Sequence, residues 1–169
     1  MRSEAIPAML SMIPSAIRGI RIEDLERIKR IVRATFPAVR QISCQTLANW
    51  FNESDSEPLV IDVRSQKEYA VSHLRGAINL RKSSEIHQMI EERRPSRTVV
   101  YCSVGFRSSR IIARLKEAHE QIYNLEGSIF EWANQGRPIY IGETQVQTVH
   151  PLSKRWAGLL KEGVASKSS

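Results

Sequence analysis

The chain has 169 residues, enough for one domain with extensions and too few for two full ones, because a domain typically takes about 100–150 residues. With 41% hydrophobic and 25% charged residues it has the composition of an ordinary globular protein, which excludes a repeat array or a largely disordered chain. The formal charge of +7 sits at the two ends: residues 41–140 hold thirteen Lys/Arg against twelve Asp/Glu and no basic stripe interleaved with aromatics, so no nucleic-acid partner is expected.

Residues 5–17 are mildly apolar, but Glu4, Pro7 and Pro14 and the absence of a small-residue cleavage site argue against a signal peptide. Nowhere does a run reach the roughly 18–20 apolar residues of a transmembrane helix. Over residues 15–36, Ile17, Ile20, Leu25, Ile28, Val32 and Phe36 recur at near-helical spacing among five arginines, which predicts an amphipathic helix ending before Pro37. A helix laid on its own domain, or on a second copy, is favoured over one resting on a membrane surface. Residues 43–51 read as a short helix with Ser43 as its cap, since a serine hydroxyl accepts from a first-turn amide.

Four apolar, β-rich runs follow at 59–63, 77–80, 98–102 and 122–125, separated by helical stretches at 84–92, 108–120 and 128–134. Continuous apolar strands need crossovers and have no wet face, so they predict an α/β fold: a mostly parallel central sheet with helices on both faces. In the tail, Leu152, Trp156, Leu159 and Leu160 predict a further short helix.

Cys44 and Cys102 are the only cysteines, too few for a disulfide framework, which points to a reducing compartment and a cytoplasmic location. Cys102 stands at the carboxyl end of a predicted strand, where ligands gather in open parallel sheets. The turn after it, Ser103, Val104, Gly105, Phe106, Arg107 and Ser108, opens a helix. Amides at such a turn stabilise an anion, and a thiol among them ionises more readily than the ordinary value of about 8.5. Gly105 permits a positive φ or a close backbone approach, and Arg107 inside the turn is read as functional. Arg110 and Arg114 are read as solvating the exposed side of the helix. No cofactor and no metal is expected.

At this point the residues resemble the rhodanese-like domains. The loop Cys102 to Ser108 matches that family's Cys-x-x-Gly-x-Arg-Ser, residues 60–80 are similar to its Asp-x-Arg, Glu-Tyr and His-x-x-Gly-Ala-x-Asn series, and residues 125–140 are similar to its Leu-x-Gly-Gly-x-x-x-Trp-x-x-x-Gly-x-Pro ending. Two departures stand out: Ser128 follows Gly127 where a second glycine is common, and Arg81 follows Leu80 where proline is frequent. The resemblance implies a sulfurtransferase in which the Cys102 thiolate takes a sulfane sulfur from thiosulfate or a similar small anionic donor and passes it to a thiol, protein or cyanide-like acceptor. By the same resemblance Asp62, Arg64, Glu68 and His73 belong to the first motif, as an ion-paired or hydrogen-bonded scaffold beside the loop, with Trp132 in the core.

The resulting division is a basic helical extension over 1–38, a rhodanese-like domain over 39–141 and a C-terminal extension over 142–169. Two rivals remain: a non-catalytic rhodanese-like interaction module, and a phosphatase or arsenate reductase. Phosphatases of this fold use Cys-x5-Arg, whereas four residues separate Cys102 from Arg107, so the cradle suits a single sulfur better than a tetrahedral oxyanion. Cys44, in the first turn of the predicted 43–51 helix, is not expected to act as a resolving thiol.

Overall fold

The computed structural model describes residues 21–53, 56–115 and 121–167. Five parallel strands, β1 (Gln41–Ile42), β2 (Leu59–Asp62), β3 (Ile78–Asn79), β4 (Thr98–Tyr101) and β5 (Ile122–Leu125), form a sheet in the order β1-β5-β4-β2-β3. The two strands richest in β-branched and apolar residues take inner positions, and β2 and β4 are buried along their whole length. They pair in register from Leu59 with Thr98 to Asp62 with Tyr101, which brings Asp62 and the start of the Cys102 loop to the same end of the sheet.

Alternation along the strands divides the core in two. Val60, Val99, Tyr101 and Leu125 face one cluster with α1 (Asp24–Thr35), α2 (Cys44–Phe51) and α6 (Ser128–Asn134). Leu59, Ile61, Val100, Cys102 and Ile122 face the other, with α4 (Ser83–Arg93) and α5 (Phe106–Ile112). The fold is therefore the expected α/β arrangement with helices on both faces.

Several elements differ from the sequence reading. Within the described residues the N-terminal helix runs from Asp24 to Thr35; its predicted first turns lie partly outside them. The helix predicted over 108–120 starts earlier, at Phe106, because Gly105 at φ 97° turns the chain into it, and it ends at Ile112; residues 116–120 lie outside the described residues. Strand β1 is too short to show a period and exists through its pairing with Asn124 and Leu125. Helix α3 (Gln66–Val71), absent from the sequence expectation, starts at a capping box formed by Ser65 and Glu68. A hairpin of β6 (Ile139–Ile141) and β7 (Thr144–Val146) follows α6, and the tail forms one 3-10 turn at Trp156–Leu159 rather than an α-helix.

Both terminal segments join the main core. Leu25, Ile28 and Val32 of α1 are buried in the same cluster as Val149, Trp156, Leu159 and Leu160 of the tail. Asn134 ties the tail down, donating to the Leu159 carbonyl at 2.7 Å and accepting from the Lys161 amide at 2.9 Å. At the end of α1, Arg33 pairs with Glu126, and Phe36 meets Phe106 edge to face at 5.2 Å. The apolar face of α1 is thus occupied by its own domain. Among the described residues no helix is long and apolar enough to cross a membrane.

Candidate active site

Strand β4 ends at Tyr101, and the chain then closes around the sulfur of Cys102. The Gly105 amide donates to Cys102 Sγ at 3.2 Å, and the Ser108 hydroxyl lies 3.5 Å from it. Gly105 is required twice: its φ is 97°, and a Cβ there would stand 3.0 Å from Asn124 Nδ2. Ser108 is held in turn by Asn124 Oδ1 at 2.5 Å, and Asn124 Nδ2 donates to Gln41 Oε1 at 2.6 Å, so the unpredicted strand β1 supports the loop from behind.

The start of α6 clamps the other side. The Cys102 amide donates to Ser128 Oγ at 3.1 Å, and the amides of Ile129 and Phe130 reach the carbonyls of Cys102 and Ser103. Ser128 itself holds φ 51°, a left-handed conformation that favours glycine, which gives the departure from the family pattern a physical content. A serine there costs about 1 kcal/mol or more of backbone strain, and in return its hydroxyl fixes the Cys102 amide.

Arg107 and Ser103 are gathered by one residue, 39 and 35 positions upstream of them. Glu68, 3% exposed, accepts from Arg107 Nη2 at 2.7 Å and Nη1 at 3.1 Å, and from the Ser103 hydroxyl at 3.2 Å. Its second oxygen also takes the Ser65 amide and hydroxyl, so the box that starts α3 aims the carboxylate at the loop. Burial alone would raise the Glu68 pKa, but the Arg107 pairing and the Ser65 bonds bring it down to about 2.

Burial likewise pushes the Cys102 thiol up, and the Arg107 charge, the Ser108 hydroxyl and the amides of Ser108 and Val104 more than offset it, leaving the pKa below the ordinary thiol value of 9.0. Cys44 is the opposite case: burial pushes it up to about 12, and it packs on the other face of the sheet from Cys102. Ultraviolet thiolate absorbance, taken as the difference between wild type and Cys102→Ser, is expected to show Cys102 ionising below pH 9.0, with the midpoint moving up in Arg107→Met. An unshifted midpoint in that variant would remove Arg107 from the account.

Beneath the loop, Asp62 and Arg64 are both fully buried and paired at 2.7 Å. Tyr101 donates its hydroxyl to Asp62 at 2.6 Å and accepts from the Leu74 amide, while Arg64 donates to the Ser72 carbonyl at 2.6 Å. His73 lies outside this group: its ring stacks on Tyr69 with centroids 4.1 Å apart, and its backbone pairs with Tyr140. The structure thus brings Glu68 together with Cys102, Ser103, Arg107 and Ser108, sets Asp62 and Arg64 below them as a platform, and leaves His73 as scaffold.

Gln41 and Asn124 carry no sequence signal for their supporting roles. His150 lies close enough to feel the charges of Glu68, Lys67, Arg64 and Arg107, and burial lowers its pKa. Among the described residues no three His, Cys, Asp or Glu side chains converge as metal ligands would.

A family model for the rhodanese-like domain matches residues 43–135. The chain belongs to this family. Rhodanese-like neighbours among solved structures share the fold: a thiosulfate sulfurtransferase from Pseudomonas aeruginosa aligns at TM-score 0.56 and 18% identity over 73% of this chain and 24% of its own. A rhodanese-related protein from Thermoplasma volcanium aligns at TM-score 0.50 and 25% identity over 60% of this chain and 98% of its own. Among curated relatives, a tRNA uridine(34) hydroxylase of Escherichia fergusonii is 31% identical over 104 residues, 54% of this chain and 30% of that protein. The chain therefore spans under a third of the length of that relative.

Proposed function

We propose that this rhodanese-like domain is a sulfurtransferase working through a persulfide on Cys102. The observation that carries this reading is the convergence of the Gly105 amide and the Ser108 hydroxyl on Cys102 Sγ, with Arg107 lowering the thiol pKa. The thiolate attacks the outer sulfur of thiosulfate or a similar donor, the donor leaves as sulfite or thiolate, and the bound sulfur passes to a thiol or cyanide-like nucleophile. Ser103, Val104 and Gly105 are buried around Cys102, which supports a cradle for a single sulfur atom over one for a larger oxyanion. Glu68 ties up Arg107, which argues against a phosphatase, where an arginine would have to wrap a tetrahedral oxyanion. An intact, ionisable nucleophile argues against a purely adhesive module.

Steady-state transfer from thiosulfate to cyanide tests the scheme. A covalent intermediate predicts ping-pong kinetics, with parallel double-reciprocal lines as the second substrate is varied. Intersecting lines, or no turnover with any sulfane donor, would overturn it.

Two free cysteines fit a reducing cytoplasm, and we place the protein there. The hydroxylase relatives are named for tRNA, yet this chain matches less than a third of the relative's length. In our reading the shared part handles sulfur and does not itself bind tRNA. A filter-binding titration is expected to show no saturable tRNA binding at physiological salt; saturation would transfer that partner to this chain.

A further inference from the structure

We propose that His150, carried on the C-terminal segment, is a further catalytic residue of this site: a fixed imidazole whose Nε2–H hydrogen-bonds the group that departs as sulfur is transferred to Cys102. The inference rests on the Cys102 persulfide reading and adds to it a residue from outside the loop, beyond residues 43–135.

The ring is held from both sides in sequence. Before it, Val149 is fully buried, donates its amide to the Val164 carbonyl at 2.8 Å and accepts from the Ser166 amide at 2.9 Å. After it, Pro151 is buried and stiff in φ, and Leu152 stands at φ 66° while the Ser153 amide donates to the Pro151 carbonyl at 2.7 Å. A three-residue turn with a positive φ at its centre is rare and strained, and a leucine adopts it only where its surroundings impose it. That turn brings the Leu152 amide to His150 Nδ1, to which it donates at 3.0 Å. With Nδ1 accepting, the proton of the neutral ring sits on Nε2, and protonation to the imidazolium would break the bond to Leu152. Burial, Lys67, Arg64 and Arg107 together outweigh Glu68 and lower the His150 pKa, so the ring stays neutral near pH 7.

The same charges locate the ring. Glu68 and Lys67 lie on α3 and Arg107 in the first turn of α5, and Glu68 and Arg107 pair at 2.7 Å beside Ser103 and Cys102. Arg107 is 25% exposed at its side chain and Lys67 is exposed, so this flank of the cradle meets solvent, and the half-buried His150 belongs to it. The Gly105 amide, the Ser108 hydroxyl and the Arg107 charge act on the Cys102 sulfur, which is the attacking atom. In a displacement at sulfur the attacking and departing atoms stand on opposite sides of the sulfur transferred, so the departing charge develops away from Cys102. A fixed N–H donor aimed at that charge lowers the barrier. With a thiosulfonate, R–SO₂–S⁻, the Cys102 thiolate forms a bond to the outer sulfur, the S–S bond to the sulfonyl group breaks, and the electron pair leaves on R–SO₂⁻. With thiosulfate it leaves on sulfite. His150 keeps its proton throughout.

The test is the second-order rate of sulfur loading on Cys102, followed by intact mass, with a series of ring-substituted benzenethiosulfonates whose sulfinate leaving groups differ in basicity. His150→Ala and His150→Phe are expected to load about tenfold more slowly than wild type, with the loss growing as the leaving group becomes more basic, and His150→Gln, which offers an amide N–H, to recover part of the rate. Alkylation of Cys102 by iodoacetamide, measured alongside, reports thiolate content and loop integrity, and should stay within about twofold of wild type in all three variants. If His150→Ala does not fold, His150→Phe, which keeps an aromatic ring in place, decides. Unchanged loading in either folded variant, a loss equal across the series, or a loss matched in the alkylation rate overturns the inference while leaving the persulfide mechanism standing. Failure of every member of the series to load wild type overturns the mechanism itself.

Discussion

Replacing Cys102 by serine is expected to reduce sulfur transfer by roughly a thousandfold or more, to the background of the uncatalysed reaction. The two side chains differ little in size, so the loop bonds of Gly105, Ser108 and Ser128 have no steric reason to change. The chemistry does change. A serine hydroxyl stays protonated under conditions where the surrounding donors hold Cys102 partly as thiolate, and oxygen does not store a sulfane sulfur for a second nucleophile. Transfer rates and thermal melting measured together check this: the melting temperature should stay near wild type while transfer disappears. Retention of a tenth of the rate would mean that another group carries the sulfur. Cys44 is a poor candidate for that, since its thiol is pushed up to about 12 and packs on the opposite face of the sheet.

Replacing Asp62 by alanine is expected to destabilise the domain by about 3–5 kcal/mol. Both members of the Asp62–Arg64 pair are fully buried, so the variant leaves a guanidinium charge in the interior with only the Ser72 carbonyl to accept from it, and deprives the buried Tyr101 hydroxyl of its acceptor. Urea unfolding measures the loss. The double variant Asp62→Leu with Arg64→Met should recover a large part of it, because removing both charges removes the unpaired one. The exposed Arg75–Glu57 pair is a built-in control: with side chains 47% and 62% exposed, its loss should cost under about 1 kcal/mol. A cost for Asp62→Ala as small as that would show that water reaches Arg64 and that the platform is not dry.

Much of this architecture could be read in the chain itself, because its signals are local. The runs that became β2, β4 and β5 are apolar over consecutive residues, Ser43 caps α2 as expected, accepting from the Thr46 amide at 3.0 Å, and α6 spans the predicted 128–134. The Cys102 loop stood out because strand, cysteine, glycine and arginine follow one another without a break. Elements that depend on distant partners did not show. Strand β1 needs β5, the tail needs the floor laid by Asn134, and the role of Glu68 depends on a residue 39 positions away. Ser65 and Glu68 do carry a local sign of α3, the spacing of a capping box, but the helix it starts is only six residues long and too short to show a helical period. Ser128 shows a third kind of limit. Its position in the motif marked it as unusual, but only the backbone angle of 51° and the bond to the Cys102 amide say what the serine does there.

The central claim, that sulfur rides on Cys102, is tested most directly by intact mass after incubation with a sulfane donor and removal of the excess. Wild type and Cys44→Ser should each gain one sulfur atom, lose it on addition of cyanide, and yield thiocyanate in equal amount, while Cys102→Ser gains none. A sulfur adduct that persists in Cys102→Ser, or that disappears in Cys44→Ser, would contradict the account.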